Sequence, residues 1–133
     1  MKTFKIAVTL LLVYAMVVAA FEFTLGYFQP EDESTFVITT NDADGRSSDR
    51  VLVQNFSGGQ LYAAANHWPR AWYYEAIENP KILVTIDGAT TEYLATPISA
   101  EEHERVNRDN ANGIGLMILF GFAPRAFLRL DPA

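Results

Sequence analysis

Residues 45–50, with the sequence Gly-Arg-Ser-Ser-Asp-Arg, are the first group in the chain whose types and spacing can do chemistry. Two guanidinium groups, two hydroxyls and the backbone N–H groups of a turn together favour the binding of a phosphate or a carboxylate. Three aspartates in the same stretch, Asp42, Asp44 and Asp49, oppose that attraction. The alternative is a solvated hairpin connection with incidental arginines, because charged loop residues are usually only hydrated.

A second group lies at 66–70, with the sequence Asn-His-Trp-Pro-Arg, and is followed by three aromatic residues at 72–74. Arg70 can reach a phosphate, and Trp68 can stack on a planar ring. A single tryptophan in a loop is, however, more often packed into the core. The tyrosine hydroxyls that follow can hydrogen-bond a substrate or a coenzyme, although core packing accounts for at least one of them.

Several kinds of site are excluded by composition and spacing. The chain has no cysteine and only two histidines, His67 and His103, so a zinc site and any other metal site are not expected. His103 lies on a charged stretch and is predicted to be solvated. No nucleophile elbow, dinucleotide fingerprint or P-loop is present. The net charge of −6 and the absence of a basic stripe argue against nucleic acid as a partner.

The N-terminal segment is directed to a membrane. Lys2 and Lys5 precede the uncharged run 6–21, and the apolar stretch extends to Phe28, giving about 23 residues, enough at ~1.5 Å each to cross a ~30 Å hydrocarbon core. A signal-anchor helix is the first interpretation. A cleaved signal peptide is the second, since the small residues at 18–20 fit a cleavage site. By the positive-inside tendency, the rest of the chain is predicted to lie outside the cytoplasm.

The remainder is predicted to be rich in β-strands with two short helices. A turn-rich loop is expected at 41–49 and an Asp-Gly hairpin turn at 87–88. The apolar segment 113–122 is too short to span a bilayer, and either lines a pocket or is an ordinary core helix. The helices are expected from Pro69 to Asn79 and from Ser99 to about Asp109, and Ser99 and Glu102 are expected to form a capping box at the start of the second helix. The strands are expected at 35–40, 51–56, 61–65, 81–86, 91–96 and 126–130. Successive hairpins with few helices indicate a small closed or half-closed barrel, because closure removes exposed sheet edges.

Three motifs resemble the deazaflavin-dependent nitroreductase and quinone reductase family. Residues 45–50 resemble the family's Gly-Arg-Lys-Ser/Thr-Gly-x-x-Arg loop, and 66–70 occupy the place of its loop beside the coenzyme. Residues 72–82 resemble its Trp-Tyr helix and Asn-Pro stop. From Thr35 to Pro132 the order of elements is similar to the family's fold, so the resemblance implies an α+β split β-barrel of the FMN-binding type.

The resemblance also implies roles for particular residues. The anionic tail of a deazaflavin coenzyme, or of FMN as the alternative, would be held by Arg46, Ser48, Arg50 and Arg70. Asn66, His67 and Trp68 would flank its ring, and Tyr73 or Tyr74 would face a quinone-like acceptor. The implied reaction is hydride transfer at the membrane, and the implied assembly is a homodimer.

The predicted organisation is an N-terminal anchor or signal segment at 1–29 and a split-barrel domain at 30–133, giving a single-pass membrane protein. The alternative function is a membrane-anchored, non-catalytic binder of an apolar or flavin-like ligand. It follows from the loop at 66–70, which lacks the glycines that let a backbone approach a ring closely, so that no coenzyme need be bound at all.

Overall fold

The computed structural model describes residues 1–27, 33–65 and 71–133. The elements in chain order are α1 (Lys2–Tyr27), β1 (Thr35–Asn41), β2 (Ser47–Val53), β3 (Asn55–Ser57), β4 (Gln60–Ala65), α2 (Ala71–Glu78), β5 (Lys81–Ile86), β6 (Ala89–Pro97), α3 (Ala100–Asp109), α4 (Ile114–Leu119) and β7 (Ala126–Pro132). Two compact units result. One, here called the helical unit, contains α1 and Asn112–Ala123; the other, the β-domain, contains the remaining described residues.

The β-domain is built on one antiparallel sheet with the strand order β2-β1-β5-β6-β7-β4-β3. The two strands at the ends of this order are neighbours in sequence, because Gln54 alone separates β2 from β3. Gln54 is held by its N–H and its side-chain amide, which donate to the carbonyls of Ser34 and Thr35, each at 2.8 Å. One bent strand therefore serves both edges, and the sheet curls into a half-barrel. The predicted α+β split barrel is confirmed.

The inside of the half-barrel holds the main apolar core. Alternate residues of β1, Phe36 and Ile38, point inward and are fully buried. Helix α2 closes this core with Trp72 and Ala76, which are one helical turn apart. A second, smaller cluster lies on the opposite face of β4 and β7, where Val106 of α3 joins Tyr62, Ala64 and Phe127. Burial on both faces explains why all five residues from Leu61 to Ala65 are buried.

Helix α3 differs from its expected character. Its sequence is polar on nearly every face, but Val106 is completely buried against the sheet. His103, predicted to be solvated, is only partly exposed: its Nε2 lies 2.8 Å from the Arg125 carbonyl and its ring packs edge-on against Phe127. One apolar side chain is enough to orient the helix, and the sheet then engages the polar groups beside it.

The helical unit has its own internal contacts. Helix α1 contains a 23-residue segment, Lys2–Thr24, that is long and apolar enough to cross a membrane, and an 18-residue stretch of it has a mean hydropathy of 2.3. A signal sequence would pass the same test. Within the segment 113–122, Ile114–Leu119 form the short helix α4, in which no residue is buried. The expectation of an ordinary core helix here is wrong, and the described chain has three short helices after α1 rather than two.

Candidate functional site

The predicted anion-binding residues divide between a turn and a strand. The loop expected at 41–49 is shorter in the structure, because β2 already begins at Ser47 and pairs with β1. Ser48 lies opposite Thr40, and Arg50 lies opposite Ile38. Residues directly opposite in an antiparallel pair share a face. Ser48 and Arg50 therefore lie on the inward face of the half-barrel, beside two buried residues of β1.

The turn that precedes β2 is closed by its own aspartate. Asp42 Oδ1 accepts hydrogen bonds from the N–H groups of Asp44 and Arg46, both at 2.9 Å, and the Asp42 carbonyl accepts from Gly45 N–H at 3.0 Å. These three N–H groups already donate within the turn. Any anion binding at this turn would therefore depend on side chains. Arg46 lies in the turn and is exposed.

Helix α2 is attached to the same end of the sheet. The buried Thr40 hydroxyl donates to Glu75 Oε2 at 2.7 Å, and Asn79 Nδ2 donates to the Asn41 carbonyl at 3.3 Å. An open cleft of about 780 Å³ lies between the 42–45 turn and the end of α2. Its lining includes two carboxylates and one ammonium group, from Asp42, Glu78 and Lys81.

The two candidate tyrosines have different surroundings. Tyr73 is half-buried, packs against the main core and meets Trp72 edge-on, with ring centroids 5.9 Å apart. Tyr74 is 54% exposed and meets Tyr73 at 5.5 Å. Tyr73 therefore has the packing role expected for at least one of the pair, and Tyr74 carries the accessible ring. The other predicted residues, Asn66, His67, Trp68 and Arg70, lie outside the described residues.

A network of charged and polar groups joins α3 to the outer face of the sheet. The Glu102 carboxylate accepts from Tyr62 Oη at 2.9 Å and from Arg129 Nη1 at 2.9 and 3.0 Å. Arg129 Nε donates to Asp131 at 2.9 Å, and Arg105 donates to Tyr62 Oη at 3.0 Å. In the sequence, only the capping-box pattern of Ser99 and Glu102 pointed to this network. Ser99 caps α3 as predicted, but the Glu102 side chain turns to the sheet.

This network shifts the acidity of its members. Burial by itself would raise the pKa of Glu102, but hydrogen bonds from Arg129 and Tyr62 outweigh it and hold that pKa below its ordinary value. The hydrogen bond from Arg129 lowers the pKa of Asp131. Burial and the neighbouring Glu102 carboxylate raise the pKa of Tyr62. The groups are mutually hydrogen-bonded, so the network forms a polar contact between α3 and the sheet.

The polar side chains on the inward face of β2, Ser48 and Arg50, are a hydroxyl and a guanidinium group, and neither is a redox group. Among residues 1–27, 33–65 and 71–133, no three His, Asp or Glu side chains are placed to hold a metal. Guanidinium groups and hydroxyls can bind and orient an anion, but they cannot transfer electrons or hydride themselves. Redox chemistry at this site would require a bound coenzyme.

Comparisons with known proteins identify the fold. No protein-family model matches the sequence, and no curated protein matches it. Solved structures do match. An F420-H2 dependent reductase (FDR-A) has a TM-score of 0.62 at 16% identity, covering 78% of this chain and 99% of the other. A protein described as a domain-swapped dimer has a TM-score of 0.62 at 15% identity, covering 76% and 82%.

A third similar structure is HutZ, the heme storage protein from Vibrio cholerae, with a TM-score of 0.60 at 18% identity, covering 77% of this chain and 83% of the other. All three identities are below one residue in five, so the likeness concerns the backbone. The β-domain has the split-barrel fold of these proteins, which serves both a deazaflavin-dependent reductase and a heme storage protein.

Proposed function

We propose that this chain is an oxidoreductase of the deazaflavin- or flavin-dependent type, with a quinone-like acceptor at the membrane. The observation that carries the proposal is the match to the F420-H2 dependent reductase, which extends over 99% of that protein. Fold alone does not specify function. The donors on the inward face of β2 supply the second support, because a guanidinium group and a hydroxyl side by side can bind an anion.

The described residues fit such a tail through their side chains. Arg46 and Arg50 offer guanidinium forks, and Ser48 offers a hydroxyl on the same inward face as Arg50. The backbone N–H groups of the turn do not take part, since Asp42 already binds them. The bound coenzyme would supply the hydride, and a quinone that accepts it together with a proton becomes a quinol.

The remaining roles are proposed on the resemblance. Asn66, His67, Trp68 and Arg70 would surround the coenzyme, and Tyr73 or Tyr74 would face the acceptor. The exposure of Tyr74 supports it as the accessible tyrosine of the two. An apolar quinone dissolves in lipid, so a chain anchored by α1 would meet its acceptor at the membrane. Homodimer formation is likewise proposed on the resemblance.

A second candidate is a non-catalytic binder of an apolar or flavin-like ligand. The closed turn favours it, because Asp42 occupies two donors and adds a negative charge beside Arg46. The split-barrel fold of HutZ is compatible with ligand storage. The two candidates differ in one measurable property, the transfer of hydride to an acceptor.

The test is a fluorescence titration of the full chain, held in a mild detergent, with the deazaflavin coenzyme and with FMN. Arg46→Ala should weaken binding about tenfold, since a charge-assisted hydrogen bond contributes about 1.5 kcal/mol. Arg108→Ala is the matched control, because Arg108 is also exposed but lies on α3. Arg46→Lys keeps the charge, so an intermediate affinity would identify the guanidinium fork.

Catalysis is tested by adding a water-soluble quinone to the reduced coenzyme and following its oxidation. Protein-dependent oxidation that Arg46→Ala slows and Arg108→Ala leaves unchanged supports the reductase. Saturable binding without oxidation supports the non-catalytic binder. If neither coenzyme binds at near-millimolar concentration, the reductase proposal is wrong and the binder of an apolar ligand is favoured.

A further inference from the structure

Residues 112–123 are a short apolar excursion whose contacts are with α1. They contain no charged residue, and the excursion begins three positions after α3 ends and ends three positions before β7 begins. The Tyr14 hydroxyl donates to the Ile118 carbonyl at 2.8 Å, and the rings of Phe21 and Phe120 have centroids 5.6 Å apart. The excursion is therefore attached to the apolar helix by a hydrogen bond and an aromatic contact.

One face of α1 receives the excursion. Among the described side chains of α1, four are partly buried, namely Tyr14, Val18, Phe21 and Glu22. They are spaced i, i+4, i+7 and i+8. Such spacing places them on a single helical face. A side chain at Gly121 would bring its Cβ within 3.0 Å of Val18 Cγ1, so the glycine permits the close approach. Other apolar residues of α1 remain exposed, including Leu10, Leu11, Leu12 and Met16.

Part of the backbone of the excursion is paired internally. Met117 N–H donates to the Gly113 carbonyl at 3.0 Å, and Phe120 N–H to Leu116 at 2.9 Å. The turn after α4 is closed by donation from Phe122 N–H to the Met117 carbonyl at 2.9 Å. Hydrocarbon offers no hydrogen bonds, so a segment can enter it only with its backbone groups already paired. The N–H groups of Met117, Phe120 and Phe122 meet that requirement, whereas Gly113 gives the first turn of α4 no side-chain cap.

Apolar side chains between 114 and 122 are largely exposed. Ile114 is 68% exposed, and Leu116, Met117, Ile118 and Phe122 are each at least 40% exposed. Apolar groups in this number are costly in water, at roughly 25 cal/mol for each Å². The surface is continuous with α1 through the contacts already described, and α1 is itself a candidate membrane span.

We infer that residues 113–122 are a second membrane element, a re-entrant helix and turn that lies along α1 with its exposed side chains among lipid acyl chains. The inference rests on the proposed location of α1 in the membrane. Tyr14 and Phe21 are about 18 and about 29 Å along the helix axis from Lys2 at ~1.5 Å per residue. The excursion therefore contacts the half of α1 distant from the lysines, and enters from the side opposite Lys2 and Lys5.

This arrangement separates the two interpretations of the N-terminus. Cleavage after the small residues at 18–20 would remove both Tyr14 and Val18, and with them the hydrogen bond and the close contact at Gly121. The apolar surface of α4 would then lose its partner helix. The excursion therefore favours α1 as a retained anchor.

The test uses the absence of cysteine in the chain, which allows a nitroxide spin label at any single introduced cysteine. Ile114→Cys and Met117→Cys are labelled in the full chain in liposomes. Leu11→Cys, at a 67% exposed site of α1, is the lipid reference, and Val53→Cys, at a 52% exposed site of the β-domain, is the water reference. Collision rates with oxygen and with a polar nickel chelate are compared, because oxygen concentrates in lipid and the chelate in water.

The expected result is an oxygen-to-chelate ratio at 114 and 117 several-fold above that at 53 and close to that at 11. A ratio equal to that at 53 overturns the inference. Low collision rates with both reagents, together with spin–spin broadening that dilution removes, would mean that a second copy covers the helix, and would also overturn it. If Leu11→Cys itself reports water, the proposed membrane location of α1 has failed instead. Unchanged tryptophan fluorescence verifies folding.

Discussion

The substitution Glu102→Gln tests whether the network between α3 and the sheet stabilises the β-domain. Glutamine has the same shape as glutamate but lacks the charge, and its amide nitrogen cannot accept a hydrogen bond. Glu102 receives hydrogen bonds from Tyr62 and from Arg129. The substitution therefore weakens both bonds without opening a cavity.

The expected loss follows from the exposure of the partners. Hydrogen bonds to charged groups contribute about 1.5–3 kcal/mol each. The Glu102 and Arg129 side chains are 16% and 29% exposed, so water partly screens the pair. Glutamine also retains one accepting oxygen. We expect the free energy of unfolding to fall by about 2 kcal/mol.

The assay is urea unfolding of the full chain in a constant concentration of mild detergent, followed by tryptophan fluorescence. Trp72 reports on the core, since it is buried on α2. With a slope of about 1–3 kcal/mol per molar urea for a domain of this size, a loss of about 2 kcal/mol lowers the midpoint by about 1 M.

Glu101→Gln is the matched control. Glu101 occupies the same first turn of α3, so both variants lose a similar favourable interaction with the helix dipole, about 0.3–1 kcal/mol. Glu101 is exposed, whereas Glu102 contacts the sheet. If the two variants lose the same stability within about 0.5 kcal/mol, the network contributes nothing and the reasoning is refuted.

Three further outcomes are expected. The pKa values of Glu102 and Asp131 are lowered in the folded state, so their contribution to the free energy of unfolding is complete above their unfolded pKa values of about 4 and is lost as pH falls through the folded values. The wild type should therefore lose more stability than Glu102→Gln between about pH 5 and pH 2. Acid titrations of unfolding will measure this difference. Gly88→Ala should lower the free energy of unfolding by about 1–2 kcal/mol, because Gly88 has φ +80° in the β5–β6 turn; an unchanged urea midpoint would contradict this. The protein isolated from membranes should retain its first 20 residues, and an intact mass lacking them would favour the cleaved signal.

Much of the architecture could be read from local patterns. The strand at 35–40, the Asp-Gly turn at 87–88 and the Ser99 cap each depend on short-range propensity and geometry, so the sequence predicted them correctly. The long apolar run of α1 is likewise a property of composition. The predicted closed or half-closed barrel followed from the succession of hairpins, and the structure shows a half-barrel with a bend at Gln54.

The site and the long-range contacts required the tertiary structure. The loop at 41–49 was predicted too long, because pairing with β1 draws Ser47 and Ser48 into a strand that their own propensities do not favour. The engagement of Glu102 by Tyr62 and Arg129 joins positions 40 and 27 residues apart. The attachment of 112–123 to α1 joins Tyr14 to Ile118, 104 residues away. Sequence patterns record periodicity and turn chemistry, whereas the partner of an exposed polar or apolar face is decided only when distant segments meet.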